Sequence, residues 1–290
     1  MSASPLPLTP AATADEVIVR PSVMRARSRS MASVVLPPLV VFVAFVGLWF
    51  LASYVLISPS KRFLLPPPQD VVSVGFLDAH NSAEIFAGLW LTTKAALFGF
   101  LLSIVVGMAL AIAMSQASWV ERSIFPYAVV LQTLPILALV PLVGFTIGYD
   151  FPSRVLVVVL IALFPVITNT LFGLVSVDQS HHDLFSLHKV GRWTRLRKLQ
   201  LPAALPAIFT GFRIAAGSSV IGAVVGDFFF KQGSPGIGVL IDLYSSQLES
   251  ERLYAAVIAA SLLGITVFVV VGVANRLVVG RWHTSTRAGG

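Results

Sequence analysis

The chemistry-bearing residues of this sequence gather in one stretch, HHDLFSLHKVGRWTRLRKLQLPAALP, from His181 to Pro206. Histidines are metal ligands, but His181, His182 and His188 lack the i, i+4 spacing that sets two imidazoles on one helix face, so they read as solvated loop histidines. Lys189, Arg192, Arg195, Arg197 and Lys198 are phosphate-binding types. Five basic residues with little beyond Trp193 to stack on bases are too few for a nucleic-acid track. ATP chemistry is excluded on spacing: none of Lys61, Lys94, Lys189, Lys198 and Lys231 follows a glycine, so no Gly-Lys-Ser/Thr phosphate loop exists. With zero cysteines there is no thiolate metal site, disulfide or cysteine nucleophile. What remains is attraction to anionic lipid headgroups and docking of a soluble partner.

The local pattern favours docking. Ser180 with Asp183 fits the Ser-x-x-Asp start of a helix. Leu184, Leu187 and Val190 form one apolar stripe at helical spacing; Trp193, Leu196 and Leu199 form a second. Gly191 lies between them, where a turn fits, and Pro202 and Pro206 are expected to interrupt the chain before the next element. Lipid attraction alone does not require such stripes. Docking of a soluble partner accounts for them, and the segment reads as two short helices with basic and apolar faces near the membrane surface.

The elements that hold this segment are membrane spans. The chain has 290 residues, 56% hydrophobic and 11% charged, with a mean hydropathy of +0.87. A bilayer core ~30 Å thick needs runs of about 20 apolar residues, and six occur: about 34–57, 86–114, 124–147, 154–175, 207–230 and 253–279. The expected fold class is therefore all-α, a polytopic membrane protein with six transmembrane helices. Residues 1–33 read as a disordered basic tail, 34–279 as one membrane domain carrying the loop at about 177–206, and 280–290 as a second tail. Fourteen of the 20 Lys and Arg residues fall on the side of the N-terminus, which predicts that both tails and the charged loop are cytoplasmic.

Within the spans, ionisable Lys94, Arg213 and Asp227 are candidates for a solute pathway, against the ordinary reading of side chains snorkelling near span ends. Asn169, Thr170, Ser218 and Ser219 are expected to hydrogen-bond between helices, and Gly222 with Gly226 to let helices approach closely, within the chain or across a dimer. Pro135, Pro141 and Pro165 are expected to kink their helices. No histidine falls in a predicted span, which weakens any membrane hydrolase reading. A secondary, ion-coupled transporter is the alternative, but it would want a midplane acid or base, and the ionisable groups gather at the span ends.

The segment resembles the cytoplasmic signature loop of permease subunits of binding-protein-dependent ABC importers, the EAA…G…LP loop. Counting back from Leu201-Pro202 sets Asp183 at the acidic position and Leu184-Phe185 at the two alanines. The likeness continues through RWTRLRKLQLPAALPAIFTGFRIA (Arg192–Ala215), and upstream in LQTLPILALVPL (Leu131–Leu142) and FPVITNTLFGL (Phe164–Leu174). Downstream it includes Asp227 and the GIG of Gly236–Gly238. It covers about 88–279 and is nearest the nitrate/sulfonate/taurine type. The resemblance implies a type I ABC importer permease fold in the cell membrane, with no catalysis by this chain. It implies two ABC ATPase subunits that bind ATP and Mg, a second permease copy, and an extracytoplasmic solute-binding protein. Docking to the ATPase would fall to Asp183, Leu184, Phe185, Leu187, Lys189, Gly191, Arg192, Leu201 and Pro202. One departure stands out: the signature glycine falls at Lys189. Either the turn shifts to Gly191, or the loop takes an altered geometry at a cost of about 1 kcal/mol or more.

Overall fold

In the computed structural model, residues 31–279 are described. The chain divides into two compact units, 1–47 and 48–290. Helix α1 (Met31–Leu51) begins in the first and continues as a π-helical turn, Ala52–Leu56. A 3-10 turn at Pro59–Leu64 leads to α2 (Pro68–Val72), with Pro68 in its first turn, where its missing N–H costs nothing. Then follow α3 (Ala79–Gln116), α4 (Ser118–Thr133), α5 (Ile136–Ile147) and α6 (Phe151–Val175). The charged segment holds α7 (Gln179–Leu187) and α8 (Arg192–Arg195), and α8 passes through a π-helical turn at Leu196–Gln200 into α9 (Leu201–Phe229). Helices α10 (Ile237–Gln247) and α11 (Ser250–Val279) complete the described chain. No strand occurs among the described residues. Both tails expected from the sequence lie wholly or almost wholly outside them.

Five helical elements are long and apolar enough to cross a membrane, and the pair α4 and α5 makes a sixth if it is one broken span. In that pair the run over 124–147 bends more sharply than a kink, its halves meeting at 102°. The break falls at Leu134-Pro135, where the residue before proline is driven to extended backbone. Pro141 and Pro165 instead lie inside continuous helices. A correction concerns Pro202 and Pro206. Neither interrupts the chain, since helix runs from Arg192 to Phe229. The π-helical turn at Leu196–Gln200 ends two residues before Pro202, and a widened turn there relieves the clash a proline ring makes with the carbonyl four residues back.

The centre of unit 48–290 is the hairpin of α6 and α9, joined at one end by the charged segment. Small residues set its spacing. A Cβ on Gly222 would meet the Val158 Cα at 3.1 Å, one on Gly211 the Pro165 carbonyl at 2.9 Å, and one on Gly173 the Ala204 carbonyl at 3.0 Å. These contacts run antiparallel and hold the two backbones close, which is how helices gain packing energy where lipid removes the hydrophobic drive. Helix α3 lies along α6 in parallel, Gly99 against Val158 and Gly107 against Val166. Helix α11 runs antiparallel to α9, Gly264 near Val220 and Gly272 near Arg213.

Candidate functional site

The sequence features with functional weight fall at the two ends of the α6–α9 hairpin. At the joined end, α7 starts from Asp178, whose side chain accepts from the Ser180 N–H at 3.3 Å. This replaces the expected Ser180 start. Asp183 instead accepts from Gln179 Nε2 at 3.1 Å. The helix closes with the Lys189 N–H bonded to the Ser186 carbonyl at 2.9 Å and the Val190 N–H to the Phe185 carbonyl at 3.1 Å. That paired pattern is the Schellman motif, whose terminal position takes the left-handed conformation glycine favours. Here the position is Lys189, at φ 51. Gly191 has φ −64 and ψ 157 and caps the start of α8. The turn therefore stays at the signature-glycine position and does not shift to Gly191; a lysine bears the left-handed backbone, at about 1–2 kcal/mol.

The second stripe splits, Leu196 turning inward and Trp193 outward. Leu196 is 3% exposed and packs with Leu174, Ala204 and Ile208 at the base of the hairpin. Buried Gln200 donates to the Leu174 carbonyl at 3.5 Å, and Arg195 Nη2 donates to Ser186 Oγ at 2.8 Å, tying α8 to α7. By contrast Leu184 (51% exposed), Leu187 (81%) and Trp193 (78%) are exposed. Phe185, Leu201 and Pro202 are half-buried, and Arg192 is exposed. The loop thus has an anchored face and a free apolar face.

At the opposite end, Arg154 and Asp227 are 2% and 0% exposed and face one another, Nη1 to Oδ1, at 3.1 Å. The approach lacks hydrogen-bond alignment, so the attraction there is between charges. Arg154 Nη2 donates to the carbonyls of Phe230, Gln232 and Ser234 at 2.6, 3.3 and 3.3 Å. The Thr92 hydroxyl donates to Asp227 Oδ2 at 2.5 Å and accepts from the Ile237 N–H at 2.8 Å. The Gly238 N–H reaches Asp227 Oδ2 at 3.4 Å. Glycine is required here: a Cβ at Gly236 would stand 2.1 Å from Asp227 Oδ2, and one at Gly238 2.3 Å from the Val224 carbonyl. The GIG sequence is therefore a cradle for the Asp227 carboxylate. Through it the first turn of α10 is fixed to α3, α6 and α9. Asp227 is no snorkelling residue.

A second polar layer fixes the far end of α10. The Tyr244 hydroxyl donates to Glu84 Oε2 at 3.0 Å. Arg252 pairs with that same carboxylate and with Glu249, the latter at 2.6 Å, and its guanidinium lies 4.3 Å over the Tyr244 ring. Burial, and then the Glu84 carboxylate it bonds, push the Tyr244 phenol up to about 12.

The other candidates are dispersed. Lys94 on α3 is half-buried, 6.0 Å over Trp90. Arg213 is exposed, 4.0 Å over Phe268. Gly222 and Gly226 pack on α6, against Val158 and Arg154, so their close approach is within the chain. The hydroxyl and amide residues do not bridge helices as expected: Asn169 bonds the Pro165 carbonyl and Ser219 the Ala215 carbonyl of their own helices. Buried Thr170 has no side-chain partner, and Ser218 is half-buried. Sequence reasoning missed Arg154, Thr92, Glu84, Tyr244 and Arg252. Arg154 had a signal, a cation opening an apolar run; Thr92 had none.

Five or six candidate membrane helices, with a central hairpin that ends in an amphipathic loop, define the class by architecture as an all-α polytopic membrane protein. Comparison with known proteins supplies the family. Residues 103–284 match the family described as binding-protein-dependent transport system inner membrane component, and the chain belongs to it. It is 32% identical over 233 residues to the formylaminopyrimidine transport permease protein ThiX of Halalkalibacterium halodurans, covering 80% of this chain and 90% of that one. It is 30% identical over 231 residues to the riboflavin transport system permease protein RibX of Chloroflexus aurantiacus, covering 80% and 85%. Similarity to the nitrate import permease protein NrtB of Synechocystis is 33% over 184 residues, covering 63% and 65%. The chain is thus the permease subunit of an ABC importer for a small solute.

Proposed function

We propose that the segment from Gln179 to Gln200 is the part of this permease that an ATPase subunit grips, and that the α6–α9 hairpin carries the resulting motion across the membrane to α10. The observation that carries this reading is the division of the loop into two faces: Leu196 locked into the base of the hairpin, Leu184, Leu187 and Trp193 left uncovered. A lever needs both, a rigid attachment and a free grip. ATP and Mg belong to the partner subunit, as no phosphate loop exists here.

The functional unit on this reading has two permease copies, two ATPase subunits, and a solute-binding protein seated at the α10 end. Lys and Arg distribution favours a cytoplasmic loop and cytoplasmic termini. The solute is a small molecule of the anion or vitamin-precursor class. Relatives matching 80% of the chain are named for formylaminopyrimidine and riboflavin, which favours the second.

The grip is tested by co-purification. Leu184→Asp with Leu187→Asp is expected to release the ATPase while leaving the permease folded and in the membrane. Retention of the ATPase by that variant contradicts the proposal. Sidedness is tested in the same chain, which has zero cysteines: Leu187→Cys is expected to react with an impermeant maleimide only after the cells are opened.

A further inference from the structure

An apolar groove of about 570 Å³ runs between α9, α10 and α11. Its wall includes Gly217, Val220 and Val224 of α9 and Gly264, Ile265 and Phe268 of α11. The one hydroxyl in it, Ser261, is spent on the Val257 carbonyl at 2.8 Å. Two glycines keep it open. A Cβ on Gly217 would meet nothing within 4 Å, and one on Gly264 only Val220 at 3.8 Å, unlike Gly222, which is jammed against α6. From Val257 to Phe268 the wall extends about 16 Å along α11, half of a ~30 Å hydrocarbon core and so the depth of one leaflet.

At the end nearer the loop the groove meets cations. Arg213 is exposed, its guanidinium stacked 4.0 Å over Phe268, and a Cβ on Gly272 would lie 3.9 Å from its Nε. Arg276, also exposed, follows one turn beyond Gly272 on the same face of α11. Among the described residues neither pairs with a carboxylate. A leaflet-deep apolar trough with one guanidinium at its loop-side end and a second further along α11, neither paired with a carboxylate among the described residues, matches one phospholipid, acyl chain along the helices and phosphate at the arginines. Self-pairing of this face between two copies fits poorly. With the groove on a membrane-normal two-fold axis, Arg213 and Arg276 would meet their own copies at equal depth, like charge against like.

We propose that this groove is a binding site for an anionic phospholipid of the loop-side leaflet, with Arg213 and Arg276 holding its phosphate. The lipid would bridge α9, which carries the loop, to α11.

Native mass spectrometry of the full chain in mild detergent, titrated with phosphatidylglycerol or phosphatidylcholine, tests this. The native chain is expected to retain one phosphatidylglycerol in preference to phosphatidylcholine. Arg213→Gln and Arg276→Gln should each cut that preference about fivefold, the weight of one basic residue at a lipid phosphate. Gly217→Leu and, independently, Gly264→Leu should fill the groove and remove the lipid, and excess inorganic phosphate should not displace it. Equal retention of the two lipids, retention unaffected by both leucine variants, or disulfide-linked dimers of an Ile221→Cys chain would each overturn it.

Discussion

Arg154 on α6 and Asp227 on α9 meet at 3.1 Å at the end of the hairpin opposite the charged loop, both removed from solvent. The hairpin is therefore closed twice, covalently by the loop and electrostatically by this pair, and α10 hangs from the second closure through Thr92 and the Gly236 cradle. Removing one charge from such a pair strands the other in a low-dielectric site. Arg154→Ala is expected to destabilise the purified full chain by about 3–5 kcal/mol, read as a fall in its thermal unfolding midpoint in detergent. The double change Arg154→Met, Asp227→Leu should recover most of that loss. The charge swap Arg154→Asp, Asp227→Arg should not, because the carbonyls of Phe230, Gln232 and Ser234 would then face a carboxylate.

Glycine substitutions separate jammed positions from open ones. Gly236→Ala forces a Cβ to 2.1 Å from the Asp227 carboxylate and should lower stability by about 1–3 kcal/mol, as overpacking does. Gly217→Ala meets open space and should raise stability by up to about 1 kcal/mol through helix propensity. The same thermal assay reads both.

Lys189 predicts the reverse of the usual cost of glycine. Lys189→Gly relieves the left-handed backbone at φ 51 and should stabilise the loop by roughly 0.5–1 kcal/mol after glycine's own chain-entropy cost. Lys189→Pro cannot adopt a positive φ, and it also deletes the N–H that bonds Ser186. Hydrogen exchange of amides in 184–190 should slow in the first variant and quicken in the second.

Tyr244 ties stability to alkaline pH. Its phenol is raised from 10.0 to about 12, so the fold favours the protonated form. By linkage that contribution is complete below pH ~10 and disappears as pH rises through about 12. In an absorbance titration of tyrosinate, Tyr244→Phe should remove the last transition.

The sequence displays what depends on local pattern. Apolar length gave the spans, proline gave the break at Leu134-Pro135, and helical spacing gave the two stripes of the loop. Long-range pairing was not displayed. Thr92 bonds Asp227 only because α3 lies beside α9, and nothing in the residues around Thr92 marks it. Asp227 looked like a span-end snorkeller because Arg154, its partner, sits on a different run. At Lys189 the composition argued for a turn at Gly191, but the Schellman hydrogen bonds of α7 fix the turn by the length of the helix, and the residue there accepts the strain.

Transport itself tests the central claim most directly. Vesicles holding this chain with its ATPase partner and the solute-binding protein are expected to accumulate solute when ATP is supplied on the loop side, and to lose uptake with Leu184→Asp and Leu187→Asp. Accumulation by vesicles holding this chain alone, driven by an ion gradient and without ATP, would contradict the account.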